Sequence, residues 1–352
     1  MNLLARTRAA ITDINHSAEA ATQRLLDNKT KPRRSLGRLE DLACQIAGIQ
    51  GIPQPPLPTK AVVVMAGDHG VAREGVSAYP PEVTWQMLLN FARGGAAINV
   101  LARQADARLV VVDMGVNGPD EAIAGVLSYR VGPGTRNFTE GPAMTIEQAT
   151  QALERGIAIV DELAGGRVDL IAIGEMGIGN TTSATALLAA FSGMPVEDIV
   201  GRGTGIDDAG LARKVAVIKK ALEVNRPANK SPEEILACLG GFEIAGLAGV
   251  VLGAAARGIP VVLDGFIAST AALVAARLQP LAAKYVIASH RSVEIGHQAV
   301  LDALGAKALF DLDMRLGEGT GAALALSIVE ASLRVLHEMA TFDTAGVTDT
   351  GK

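Results

Sequence analysis

The sequence predicts an α/β protein, a Rossmann-like six-stranded parallel sheet flanked by helices, with a small helical domain built from both chain ends. Three observations predict it. Short runs rich in β-branched and apolar residues recur along the chain, a helix-like stretch follows each run, and glycines or ionisable residues gather where the runs end. Buried strands alternating with helices imply right-handed crossovers and a sheet covered on both faces.

Taken in order, residues 1–25 read as helical and mix Arg6, Arg8 and Asp13 among apolar residues. They lack the continuous hydrophobic stretch of an export signal, so the chain is expected in the cytoplasm. Residues 51–59 are proline-rich and read as an exposed connection into the first strand. Strands are expected at residues 61–66, 109–113, 169–173, 260–264, 285–289 and 308–314. A closing helix over residues 322–339 places Leu326, Val329, Leu333 and Leu336 at helical spacing, outside the strand alternation. It is expected to pair with the N-terminal helices. The division is then a large α/β catalytic domain over 31–325 and a small helical one from 1–30 and 326–352. The polar tail after Phe342 is expected to fray.

Composition excludes several classes of function. With 352 residues, 49% hydrophobic and 20% charged, the chain has enough apolar material for a large core, yet no run reaches the roughly 20 residues that span a bilayer. No membrane anchor is expected. A net charge of −5 and 3% aromatic residues leave little to attract nucleic acid or stack its bases. Cys44 and Cys238, each followed by aliphatic residues, read as buried thiols and not as a disulfide or metal cage. A small polar ligand is the expected partner, with no metal and no cofactor.

Two loops suit a phosphate. Gly174-Glu175-Met176-Gly177-Ile178-Gly179-Asn180-Thr181-Thr182 leaves a predicted strand and opens a helix, where free backbone N–H groups and a partial positive charge favour an anion. There is no Walker lysine and no G-x-G-x-x-G, which disfavours nucleoside triphosphates and dinucleotides. Gly201 to Gly205 forms a second loop, with Lys214 on a following helix from which its ammonium can return to the same anion, and Ser292 follows another strand. One such loop alone is more often a plain turn; two loops and a serine favour a phosphomonoester site.

Glu318 stands in Leu316-Gly317-Glu318-Gly319-Thr320-Gly321. Flanking glycines let other groups approach, and apolar surroundings raise a carboxylate's affinity for a proton, as a general base near neutral pH requires. A solvated glutamate at a helix start is the commoner fate of such a residue. Glu175 shares the setting on another strand exit, and paired carboxylates also suit glycoside hydrolysis. A metal-free nucleoside hydrolase and a non-catalytic nucleotide sensor therefore stand as alternatives. Single histidines in Asp68-His69 and His290-Arg291 read as hydrogen-bonding support for the site.

Together these segments resemble the nicotinate-nucleotide–dimethylbenzimidazole phosphoribosyltransferase family, which makes the lower-ligand nucleotide of cobalamin. The resemblance spans nearly the whole chain. It runs through Lys31-Pro32 to Leu39-Glu40, Ala66-Gly67-Asp68-His69-Gly70-Val71, Gly94-Gly95-Ala96-Ala97-Ile98-Asn99, Gly174 to Thr182, Gly201 to Asp208 and Leu316 to Gly321. The pair Arg33-Arg34 departs locally from the family pattern. The resemblance implies a homodimer that transfers phosphoribose from nicotinate mononucleotide to 5,6-dimethylbenzimidazole, inverting C1′ to give α-ribazole 5′-phosphate. It implies Glu318 as catalytic base, and Glu175, Gly177, Gly179, Asn180, Thr181, Gly203, Lys214, Ser292 and Gly317 around the phosphate and ribose. Gln86, Met176 and Leu316 are implied near the aromatic base.

Overall fold

In the computed structural model, which describes residues 2–119 and 121–349, six parallel strands form one sheet. They are β1 (Lys60–Gly67), β2 (Ala107–Gly115), β3 (Val126–Ser128), β4 (Leu170–Met176), β5 (Val261–Leu263) and β6 (Val286–Ala288). The spatial order is β3-β2-β1-β4-β5-β6. Chain direction across the sheet therefore reverses between β1 and β4, which opens a crevice at their carboxyl ends.

The central strand explains the layering. Every residue of β1 is buried, and its side chains alternate between two cores. Ala61, Val63 and Met65 join the core built with helices Ile146–Gly165, Phe242–Ala256 and Phe266–Leu278. Val62, Val64 and Ala66 join the core built with Arg38–Gln50, Ala97–Gln104 and Thr320–Glu338. A period of two on a strand covered on both faces leaves no room for polar alternation, which is why the run reads as continuously apolar. On the first face two helices meet backbone to backbone: a Cβ on Gly156 would lie 1.9 Å from the Gly246 carbonyl oxygen.

One expected strand is corrected. Residues 308–314 form no strand of the sheet; they make a single bridge, Phe310 to His290, and then run irregularly through Asp313, whose φ is +53°. Its aspartates and the left-handed residue break the ladder that its apolar residues suggest. The sixth strand is instead β3, three residues paired to the edge of β2.

The chain ends meet. Lys29 bridges to Thr341, the Thr30 amide donates to the Ala340 carbonyl at 3.1 Å, and the Lys29 ammonium donates to the Met339 carbonyl at 2.7 Å. Yet Leu4 lies in one core and Leu26 in the other, so the first 30 residues reach both faces of the sheet. The long helix Thr320–Glu338 runs unbroken across position 325, and its Ala322, Ala323 and Leu326 share a core with Val62 and Val64. Beyond it, Phe342–Ala345 forms a further helical turn capped by Thr341, in place of the expected fraying; residues 350–352 lie outside the described residues. Cys44 and Cys238 are both free thiols.

Candidate active site

At the crevice beside β1 and β4 lies a cavity of about 440 Å³. Glu175, Met176, Gly177, Asn180, Thr181, Gly203, Ser292, Leu316, Gly317 and Glu318 all line it, so most residues singled out in the sequence come together. Gly179 and Lys214 stand one layer behind the wall. Gln86 does not line the cavity; it is exposed on the helix Glu82–Ala92, whose Val83 and Met87 line it instead. Val83 and Met87 are four residues apart and therefore share a helix face that Gln86 leaves.

The anion end is built from two loops tied by a lysine. Gly179, at φ +95°, starts the helix Asn180–Ser192, and no side chain caps that start. The amides of Ile178, Asn180 and Thr182 are tied to Thr84 Oγ1 at 3.1 Å and to the Gly177 and Gly179 carbonyls at 3.1 and 2.9 Å, while the positive end of the helix still favours an anion. Lys214 is fully buried, and its ammonium donates to Thr181 Oγ1 at 2.8 Å and to the Gly201 carbonyl at 3.2 Å, joining the two glycine-rich loops. Burial pushes its pKa down to about 8, with the Glu294 carboxylate opposing. Gly203 sits over this junction: a Cβ there would come within 2.9 Å of Thr181 Oγ1.

Ser292 is held from behind by a histidine that sequence reasoning missed. Its amide donates to His297 Nδ1 at 2.9 Å, and His297 Nε2 lies 3.0 Å from Ser269 Oγ. His297 is therefore neutral with its proton on Nε2. Burial, and then the neighbouring His290, push its pKa down to about 3.

At the opposite end, Gly317, Glu318 and Gly319 all have positive φ, +87°, +64° and +88°. Three consecutive left-handed residues explain the glycines on either side of the carboxylate. Glu318 is 6% exposed, and its Oε2 accepts from the Ile98 amide at 3.3 Å, at the beginning of the helix Ala97–Gln104. Burial raises its pKa above the usual carboxylate range, and the Ile98 amide holds the rise back.

Asp264, at the end of β5, fixes this turn. Its carboxylate accepts from the amides of Gly319 at 3.1 Å, Gly321 at 2.7 Å and Ala322 at 3.2 Å, capping the long C-terminal helix from outside the helix. Burial moves its pKa up to about 6 against the pull of those amides. Nothing local in the sequence signals this role, because the carboxylate and the amides are 55 or more residues apart.

Glu175 faces the same turn. A Cβ on Gly317 would lie 2.5 Å from its Oε1, and its Oε2 accepts from the Asn180 amide group. Burial first, then the charges of Asp264 and Glu243, push its pKa up to about 8. Both carboxyls are thus pushed toward the protonated form by burial, and only Glu318 is held back by a backbone amide, that of Ile98. Among the described residues, no group of three or more His, Cys, Asp or Glu is arranged to hold a metal ion. Behind Gly177, His69 Nε2 and Glu243 Oε1 pair at 2.6 Å, wholly buried.

Comparison with known proteins identifies the family. A family model described as phosphoribosyltransferase matches residues 11–347. The nicotinate-nucleotide–dimethylbenzimidazole phosphoribosyltransferase of Desulforamulus reducens is 55% identical over 349 residues, covering 99% of each chain. The protein of the same name from Geobacter sp. strain M21 is 51% identical over 348 residues, covering 99% of this chain and 100% of its own. A crystal structure of nicotinate-nucleotide-dimethylbenzimidazole phosphoribosyltransferase from Thermus thermophilus superposes with a TM-score of 0.90 at 46% identity, covering 96% of this chain and 100% of that one.

Proposed function

The chain belongs to this phosphoribosyltransferase family, and from that premise we propose how its cavity moves phosphoribose from nicotinate mononucleotide to a benzimidazole-type base. The observation that carries the reading is the placement of a poorly hydrated Glu318 and two glycine-rich loops on the walls of one cavity. The enzyme is a pentosyltransferase, and its products are nicotinate and the ribotide of the accepting base.

In nicotinate mononucleotide the glycosidic nitrogen is a pyridinium and leaves as a neutral ring, so departure needs little acid help. The accepting ring is the harder partner. It attacks C1′ through its lone-pair nitrogen and builds positive charge, which Glu318 relieves by taking the N–H proton. Attack opposite the departing nicotinate inverts C1′ to the α configuration. Protonated Glu175 donates to the sugar and does not compete as base. The amides near Gly177, Asn180 and Thr181, with Gly203, Ser292 and the Lys214 charge behind them, hold the phosphate and turn its binding energy into alignment of C1′. Met176 and Leu316 flank the accepting ring.

The assembly is a cytoplasmic homodimer in this reading. Support comes from the exposed side chains of Tyr79 and Leu316, which line the cavity, and of Val293, Ile295 and Leu312, which flank its residues in sequence. No helix among the described residues is long and apolar enough to cross a membrane. The division into a large domain (31–325) and a helical one from both ends (1–30, 326–352) is part of the same proposal, supported by the pairing of Lys29 with Thr341.

The test mixes the purified chain with nicotinate mononucleotide and dimethylbenzimidazole. Stoichiometric nicotinate and an α-linked ribotide support the reading. Ribose phosphate formed without the base would point to hydrolysis, and the absence of any nicotinate would reject catalysis.

A further inference from the structure

One cavity residue has no part in the chemistry above. His290, at the end of β6, is 3% exposed and lines the cavity. Its ring stacks on Phe310, with centroids 6.0 Å apart and planes 17° from parallel. The two nitrogens face different surroundings. Nδ1 is turned into the protein, 3.0 Å from Ser289 Oγ and 3.9 Å from Asp264 Oδ1, and packs so closely on Gly321 that a Cβ there would lie 2.0 Å away. Nε2 points the other way, toward Gly265 and the side of the cavity that holds Ser292; a Cβ on Gly265 would sit 3.7 Å from Nε2 and 3.6 Å from the Ser292 Cβ. Among the described residues Nε2 has no hydrogen-bond partner, unlike Nδ1.

The surroundings of Nδ1 decide what Nε2 can bind. The Ser289 hydroxyl has one hydrogen and gives it to the Asp264 carbonyl at 3.4 Å, leaving its oxygen to accept from Nδ1–H. The Asp264 carboxylate nearby favours the proton on the same nitrogen. Nε2 is then a bare lone pair facing the cavity. A lone pair repels a phosphate oxygen or a carboxylate and accepts only from a donor, so the matching ligand group is a hydroxyl or an N–H. Of the groups on the nucleotide, only the ribose offers hydroxyls.

We propose that His290 is a specificity-determining residue whose Nε2 accepts a hydrogen bond from a ribose hydroxyl of the nucleotide donor, so that the enzyme selects ribotides over deoxyribotides. This rests on the phosphoribosyl-transfer reading and extends it to a residue between the phosphate end and the carboxylate end. The acceptor is set by residues that never touch the sugar: Asp264 and Ser289 choose the tautomer, and Phe310 holds the ring plane. A site that hydrogen-bonds a substrate hydroxyl rejects the analogue lacking it, because the buried acceptor is left unpaired.

The experiment supplies dimethylbenzimidazole with nicotinate mononucleotide and with its 2′-deoxy and 3′-deoxy analogues, and reads kcat/KM from nicotinate release. In the native enzyme, deleting one of the two hydroxyls is expected to cost roughly 10- to 100-fold. The same deletion is expected to cost His290→Ala nothing, and His290→Asn, whose amide oxygen still accepts, part of the native factor. A second measurement needs no variant. The chain has five histidines, so the 15N resonance of His290 Nε2 can be assigned; it should show an unprotonated nitrogen in the free enzyme and move on saturation with nicotinate mononucleotide but not with the deoxy analogue that loses activity. No nicotinate release from any donor would overturn the transferase reading as well. Release with equal hydroxyl factors in native and His290→Ala enzyme, or an Nε2 resonance that saturation leaves in place, overturns this inference alone.

Discussion

Two helices begin at the cavity from a left-handed glycine, and they are used in opposite ways. The helix Asn180–Ser192 starts at Gly179 and the helix Thr320–Glu338 at Gly319, with φ of +95° and +88°, and neither glycine has a side chain to cap its own helix. At the second, three amides are taken up by Asp264, so the end is closed and rigid and Glu318 is fixed in it. At the first, no carboxylate caps the start: the Asn180 and Thr182 amides close on the Gly177 and Gly179 carbonyls of their own loop, and the positive end of the helix faces the place proposed for the substrate phosphate. A residue on a distant strand thus decides whether a helix that starts from glycine is clamped by a carboxylate or held only by its own loop. In the proposed reaction the clamped end would supply precision and the other end affinity.

The largest test of that contrast is Glu318→Gln. Removing the base from the closed end should lower turnover by roughly 10²- to 10⁴-fold while titration calorimetry finds nicotinate mononucleotide binding unchanged; near-normal single-turnover rates would end the assignment. Asp264→Ala should come next, because it uncaps the turn and strands buried amides. A loss on the order of 3 kcal/mol in urea unfolding, together with slower turnover, is expected, and unaltered unfolding would show that the turn holds itself. At the other end, Lys214→Met should raise KM for nicotinate mononucleotide roughly tenfold and change kcat less. Equal losses in kcat and kcat/KM would instead mark Lys214 as acting only in the transition state.

The smallest effect separates the two ends by pH. Glu175 binds its proton more tightly in the fold than in the unfolded chain, so the stability it contributes is complete below about 4.5 and lost as pH rises through about 8. Lys214 binds its proton less tightly in the fold; its contribution is complete above about 10.5 and lost as pH falls through about 8. Between about pH 6 and pH 8 the native enzyme should lose roughly 2–4 °C of Tm, and Glu175→Gln should flatten that slope. A slope that survives the substitution would place its origin elsewhere.

Much of this is legible in the residues because the central strands have no choice. A strand buried on both faces must be apolar throughout, so β1, β2 and β4 stand out in the sequence. β3 does not, since two half-buried residues and one exposed one at an edge carry no pattern, and the apolar residues at 308–314 imitate a strand that Asp311 and Asp313 prevent. The same divide runs through the site. Local glycine patterns mark both loops, and Lys214 lies on the helix from which it reaches Thr181. Asp264 and His297 escape notice because their partners are set by tertiary structure: Asp264 reads as the last residue of a strand, and His297 as an ordinary helix residue. Gln86 lies one helical position from Met87, on the face next to the one that lines the cavity.

The seam between the two chain ends sets a timetable for synthesis. Lys29 and its carbonyl partner at Met339 are 310 positions apart. At translation speeds of about 5–20 residues per second, the earlier half of the seam waits roughly 15 to 60 seconds for the later half to be made. During that wait Leu26 and its neighbours lack the closing helix that buries them, so the nascent chain exposes a greasy flank until the ribosome has nearly finished.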